Sequence, residues 1–338
     1  MPSEPASVND PRGEEFREDT RRARGLPAAE IRRLNHLDPV KATLGVAETW
    51  GTIALAITAA LMWWHPLVVV PAVIVIATRQ HALFILAHDA AHYRLYEKRW
   101  LNDLVGRASA TVAGLPMCTY RVIHRLHHNH LYGKEDPDIA LHGGYPRGRW
   151  YLIKKLAKDL CGLTAYKTYG YFFGNPALND DRGETLRPLD DTSPALRQAA
   201  RRDRTVVIGV QIALPVAAFA AGFGVQYLVL WVLPALTGLQ ALLRLRAVLE
   251  HGAVRDLSSP LTAARTNLAS APVLWLFFPH HVNYHIEHHL YPAIPHYNLP
   301  EAHRLLRDAG ALDNSEVANV SVGLEKVFAK PAPSPATA

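Results

Sequence analysis

The stretch Leu67-Val-Val-Val-Pro-Ala-Val-Ile-Val-Ile-Ala-Thr-Arg-Gln-His-Ala-Leu-Phe-Ile-Leu-Ala-His88-Asp-Ala-Ala-His92 begins as an apolar run and ends in two imidazoles. From Leu67 to about Ala87 it has the roughly 20 residues that carry a helix across a bilayer. No breaker separates this run from His88 and His92, which stand at i and i+4 and therefore on one face of the same helix. One helix is thus expected to cross a membrane and deliver two nitrogen donors to its boundary. Upstream, Leu44 to Trp64 is a second apolar run, interrupted by Glu48 and small hydroxyl residues and ending in the interface-seeking pair Trp63 and Trp64. His65-Pro66 reverses the chain between the two. The length of the runs favours a membrane hairpin over a buried soluble one.

A second apolar pair follows, at about residues 205–221 and 225–243, joined by the short turn Gly222-Phe-Gly224. With the first pair at about 44–64 and 67–87, the expected fold is an all-α integral membrane protein of four transmembrane helices in two hairpins, under a helical cap on one side. The chain carries 36 Lys and Arg against 30 Asp and Glu, a net charge of +6. These cations lie before the first hairpin, between the hairpins and after the second, while both hairpin tips are uncharged. That pattern is a positive-inside signature rather than a nucleic-acid surface, and it places both termini and the large loop in the cytoplasm of a multi-pass cytoplasmic-membrane protein. Residues 1–43 read as a polar cytoplasmic tail with a short interfacial helix after about residue 27, residues 44–310 as the catalytic domain, and residues 311–338 as a C-terminal tail disordered at its end. No apolar segment of signal-peptide type follows the start. Trp100 to Pro116 and Trp150 to Phe173 are expected to form amphipathic helices, Ala269 to Pro279 an interfacial segment, and residues 174–204 a loop. The fourth crossing can run on to His251, with Gly252 as its cap. Cys118 and Cys161 give neither a disulfide framework nor a thiolate site, so any metal is held by nitrogen and oxygen.

Two further clusters repeat the pattern of one-faced imidazoles. His124, His127 and His128 stand at i, i+3 and i+4, and so do His285, His288 and His289 inside His280-His-Val-Asn-Tyr-His-Ile-Glu-His-His-Leu-Tyr-Pro292. With His88, His92 and His251 these make nine of the 18 histidines, all on one expected side of the membrane. Imidazole suits iron, zinc, copper and nickel alike. Nine is too many for one zinc, which takes three or four ligands, and about right for two metals with positions left open. The absence of a His-Glu-x-x-His helix speaks against a metallohydrolase of that type. A dinuclear centre follows, with iron the leading candidate because it also activates oxygen.

The order His88-x-x-x-His92, His124-x-x-His127-His128 and His285-x-x-His288-His289 around two apolar hairpins, with Glu250-His251-Gly252, resembles the membrane fatty acid desaturase and hydroxylase superfamily. The resemblance covers about Leu44 to His303. It implies two non-haem irons held by the nine histidines, O2 as co-substrate and an external electron donor. It also implies desaturation of a fatty acyl chain, in a lipid or an acyl thioester. No His-Pro-Gly-Gly sequence occurs, so no fused cytochrome b5 is expected and the donor is a separate ferredoxin-like or similar protein. In some relatives an Asn one turn before the equivalent of His251 reaches an iron through water; here that position is Ala247, with Asn283 a possible substitute. Asp89, Asn129, Asp136, Asp138, Glu250 and Glu287 are candidates to accept the second ring N–H of the ligating histidines. His130, His280, His281 and His296 fall outside the pattern and are expected behind the ligands or at the surface. Arg244 and Arg246 are expected to snorkel or to bind an anionic headgroup. Rival readings are a hydroxylase or ketolase of the same superfamily acting on a lipid, a carotenoid or a small amino-acid-derived molecule, a zinc-dependent membrane hydrolase, and a metal transporter.

Overall fold

The computed structural model of the chain describes residues 25–133, 135–175, 188–190 and 192–331. Most of the expected N-terminal tail, much of the loop expected over 174–204 and the end of the C-terminal tail lie outside the described residues. A short helix α1 (Ala28–Leu34) precedes the first crossing helix α2 (Pro39–Met62). Asp38 starts α2 by accepting the backbone amides of Val40 and Lys41, with Pro39 at the first helical position where its missing N–H costs nothing. His65 and Pro66 start α3 (Pro66–Ala91) in the same way. After the amphipathic helices α4 (Arg99–Val112), α5 (Met117–His130), α6 (Arg149–Leu160) and α7 (Ala165–Phe172) come the second pair of crossings, α8 (Pro194–Ala220) and α9 (Gly224–His251). Beyond them lie β1 (Thr266–Leu268), α10 (Ala271–Phe277), α11 (His285–Leu290), α12 (Leu299–Asp308), β2 (Val317–Asn319) and α13 (Val320–Phe328).

Among the described residues four helices are long and apolar enough to cross a membrane, and they are not equivalent. In α3, 61% of the apolar window is buried within the protein, against 11 to 22% in the other three, so α3 is the spine and the others present Leu55, Ile212, Val216 and Val225 outward. Its buried Arg79 explains both interruptions of the first hairpin: the guanidinium binds Glu48 of α2 at 2.7 Å, lies 4.0 Å from the Trp275 ring centre and donates to the Trp275 carbonyl. The Trp275 indole N–H closes the set on Glu48 at 2.8 Å. A buried charge on a crossing helix is tolerated here because it is paired and hydrogen-bonded, and the pair pins α10 to the first hairpin.

Three features depart from or refine the sequence reading. Helix α8 begins at Pro194 rather than near residue 205, because Ser193 caps it by accepting the Leu196 amide and Asp203 on its polar first turns binds Arg107 and the Cys118 amide. Such a polar start is invisible to a hydropathy criterion. Helix α9 is not uniform: Leu228–Val232 is π-helical and Thr237 leaves helical geometry (φ −121°, ψ −84°) just before Gly238, whose hydrogen lies where a Cβ would stand 2.8 Å from Ala77 of α3. Finally, Gly252 caps α9 as expected, its N–H on the Val248 carbonyl, but with an extended backbone (φ −77°, ψ 142°) rather than the left-handed one common at glycine caps. Buried Arg265 completes the cap, donating to the carbonyls of Leu249, Gly252 and Ala253 and pairing with buried Glu316 at 3.2 Å. Its neighbours form the parallel pair β1–β2, in register Thr266 with Val317. These three-residue strands are too short to show an alternating pattern.

Candidate metal centre

Helix α3 contributes His88 near its C-terminal end, and His92 follows as its C-cap; α5 brings His124, His127 and His128, α9 ends on His251, and α11 carries His285, His288 and His289. The structure gathers all nine and divides them. His88, His92, His124, His128 and His288 form one group, and His127, His251, His285 and His289 another; within each, the donor atoms all lie within 4.8 Å of one another. In the first group Nε2 atoms meet at 3.0 Å (His88 and His288), 2.9 Å (His92 and His124), 3.0 Å (His124 and His128) and 2.9 Å (His128 and His288). In the second they meet at 3.2 Å (His127 and His251), 2.7 Å (His251 and His285) and 3.2 Å (His285 and His289). Nitrogens each about 2.1 Å from one ion stand ~3.0 Å apart at right angles and ~3.4 Å apart in a tetrahedron. The observed spacings are those of nitrogens that can share one ion, and the chemistry of the donors, imidazoles converging in a largely buried site, fits a pair of metal ions.

The rings are oriented from behind. Asp89 faces Nδ1 of His88 at 3.2 Å and also takes Nδ1 of His296 at 2.7 Å. Asp136 faces Nδ1 of His127 at 2.9 Å and accepts the amides of Tyr132 and Asp138, both at 2.9 Å. Nδ1 of His251 donates to the Ala263 carbonyl at 3.1 Å, while Tyr132 holds the His251 carbonyl. These contacts leave Nε2 free to point inward. Burial disfavours charge on His127, but Asp136 and Asp138 outweigh it and raise the ring to about 9. A metal cation would replace that proton and draw on the same carboxylates. Burial, opposed by His127 and reinforced by Asp136, pushes Asp138 up to about 6; it stands 3.6 Å from His127 and takes the hydroxyl of Tyr171.

Several expected supports act elsewhere. Glu250 is 3.6 Å from His285, but its strong partner is Arg246 at 2.7 Å. Glu287 lies between His285 and His288 in sequence, yet accepts Thr266 at 2.6 Å and His303 at 2.5 Å, because on a helix it faces away from both. The Asn283 amide donates to the Asn267 carbonyl at 3.1 Å, and Asn129 is exposed. Arg244 and Arg246 do not reach outward to headgroups: Arg244 pairs with buried Asp159 and Arg246 with Glu250. Sequence reasoning passed over His142, a buried ring 4.8 Å from that of His251, and Ala263, which orients His251 through its backbone and so leaves no side-chain signal. It placed His296 only loosely; the contact with Asp89 gives it a definite role.

A cavity runs from His124, His127 and His251 past Tyr120, Phe84 and Phe172 to the Arg246–Glu250 pair. Toward the membrane core two apolar clefts, about 340 and 310 Å³, share Val112, Tyr227 and Trp231 as walls. Residues 42–317 match the family described as fatty acid desaturase. The chain belongs to the fatty acid desaturase family. Members with curated names resemble it at low identity. A probable fatty acid desaturase of Sorghum bicolor is 27% identical over 65% of this chain and 58% of its own length. An sn-1 acyl-lipid omega-3 desaturase (ferredoxin) of a Nostoc strain is also 27% identical, over 65% of this chain and 62% of its own. The alignments therefore span about three fifths of these two desaturases. A beta-carotene ketolase of a Paracoccus strain is 26% identical over 76% of this chain and 88% of its own length, and a dihydrorhizobitoxine desaturase of Bradyrhizobium elkanii 27% over 81% and 77%. With its four apolar helices of crossing length among the described residues, the protein is an integral membrane member of this family.

Proposed function

We propose that the nine histidines hold two non-haem irons, five on one and four on the other, and that the protein uses O2 to introduce a double bond into a fatty acyl chain, in a lipid or a thioester. The carrying observation is the division of nine imidazoles, seven buried and two half-buried, into two converging groups on the wall of a cavity. When bound, such a pair of irons supplies the oxidising power to remove hydrogen from an unactivated C–H bond. The protein's part is positional. Asp89, Asp136 and the Ala263 carbonyl fix the tautomers of His88, His127 and His251. Val112, Tyr227 and Trp231 admit an apolar chain from the bilayer, and Phe84, Tyr120 and Phe172 seat it beside the histidines while excluding water. Arg246 and Glu250 neutralise each other and so line this space without an unpaired charge. Electrons come from a separate donor protein, ferredoxin-like or similar, on the side read as cytoplasmic for the site and both termini, a reading that the basic loops support.

A second reading is ketolase or hydroxylase chemistry, or desaturation of a small amino-acid-derived molecule. It is favoured by the more complete alignment with the Paracoccus ketolase and the Bradyrhizobium desaturase than with the acyl-lipid enzymes. Total lipid mass spectrometry of an aerobic host expressing the chain, beside His285→Ala and an oxygen-starved culture, separates the two. Loss of a hydrogen pair from an acyl chain, absent in both controls, supports desaturation. Gain of oxygen supports the second reading. Unchanged lipids with two irons per purified chain point to a substrate outside the common acyl chains, and bound zinc overturns the oxygenase reading.

A further inference from the structure

The two groups are unequal, five donors against four, and the deficit falls where an uncommitted imidazole lies. His142 ends the one-turn helix Ile139–His142 and is 1% exposed. Neither of its ring nitrogens has a hydrogen-bond partner. Its ring centre is 4.8 Å from that of His251 and 5.9 Å from that of His127, both members of the four-histidine group, and its donor lies within 4.8 Å of those of His127 and Asp136. A buried ring with both nitrogens unmet is rare in a folded protein and calls for a ligand. The other groups on that side are occupied. Asp136 holds His127 and two backbone amides, Glu250 holds Arg246, and Ala247, one turn before His251 on the wall of the same cavity, has only a methyl.

We propose that His142 is a tenth histidine donor, serving the metal of the four-histidine group and bringing the two groups to five each. This rests on the reading that both groups hold iron. The nearest carboxylate, Asp136 at 3.7 Å, is outside hydrogen-bond distance and leaves His142 unclaimed.

The test uses the whole chain, purified in detergent from cells grown on ⁵⁷Fe, with iron counted by mass spectrometry and the two sites resolved by Mössbauer spectroscopy. His142→Ala is expected to shift or remove one quadrupole doublet and leave the other unchanged, to weaken the affected iron by at least about tenfold, and to regain the parent spectrum when free imidazole is added. His142→Gln keeps most of the ring's volume and offers an amide oxygen. It is expected to fold, keep both irons and shift the same doublet alone, so it decides the matter if the alanine variant does not accumulate. Both doublets unchanged in the glutamine variant, or three metals per parent chain with one lost on substitution, overturns the proposal. A parent chain that binds no iron overturns the underlying reading first, and is a different result.

Discussion

The two histidine groups are built from different material. The group of five takes two rings from α5, one from α11 and two from α3, the most buried of the crossing helices, which brings His88 and His92 as one unit supported by Asp89 and His296. The group of four draws one ring from α5, one from the last residue of α9 and two from α11. Its orientation depends on Asp136 in the loop after α5 and on the Ala263 carbonyl, which the Arg265–Glu316 pair and the β1–β2 strands fix in place. The first is anchored by one long buried helix. The second has four members, with His142 beside them, and is anchored in the cap. Donors held by short helices and loops lose their alignment more readily than donors held by one long helix, so removing one costs the second group more.

The largest effect should come from the cap-anchored side. His289→Ala leaves three of the four rings with His142 beside them, all held by the cap and helix ends, and is expected to lose most of that iron, with product formation down by more than about a hundredfold, beyond the 10–100-fold typical of an outer contact. His92→Ala leaves four rings in the other group and should retain weaker iron there. Iron content per chain and product yield in the same host check both. Equal loss from the two variants would break the comparison.

The outer contacts come next. Asp136→Asn is expected to cost about 10–100-fold in iron affinity, because the carboxylate serves His127 and the loop amides together. Asp89→Asn should cost toward the lower end of that range, since α3 fixes the ring of His88 independently. Competitive chelation curves for the two variants sharpen the comparison, and a larger loss in Asp89→Asn would reverse it.

Packing can disturb the five-donor side without touching a donor. A Cβ on Gly106 of α4 would fall 2.2 Å from the Cβ of Ala90, between His88 and His92 in sequence, and 3.0 Å from Met117. Gly106→Ala is therefore expected to push on the end of α3 and destabilise the protein by about 1–3 kcal/mol, the usual cost of overpacking. Thermal unfolding measures the cost. Mössbauer spectra should show any perturbation in the five-donor iron alone.

Much of this was legible in the residues. Four apolar runs give the crossings, and helical periodicity gives the faces on which His124, His127, His128 and His285, His288, His289 stand, because both signals are local. The partition into five and four was not legible: His127 and His128 are adjacent in sequence but point to different groups, a consequence of how α5 crosses α3 and α11. His142 carries no periodic signal because it ends a single turn in a loop. Arg265 and the two short strands act through backbone carbonyls, whose needs the sequence does not write. Arg244 and Arg246 misled for the converse reason: a cation after an apolar run suggests a headgroup, and only tertiary packing reveals Asp159 and Glu250 as partners.

Glu287 is the sharpest case of a residue placed well in sequence and wrongly for the site, and it gives the smallest expected effect on metal. Its carboxylate is fully buried and joins β1 to α12 through Thr266 and His303. Glu287→Gln keeps one acceptor oxygen and loses the other, so one buried partner goes unmet at a cost of about 1–3 kcal/mol. Both groups of histidines keep their own supports, so iron content and both doublets should match the parent while the unfolding midpoint falls. Loss of iron at unchanged stability would instead mean that the α11 backbone, and not the side chains behind the rings, sets how His285, His288 and His289 are aimed.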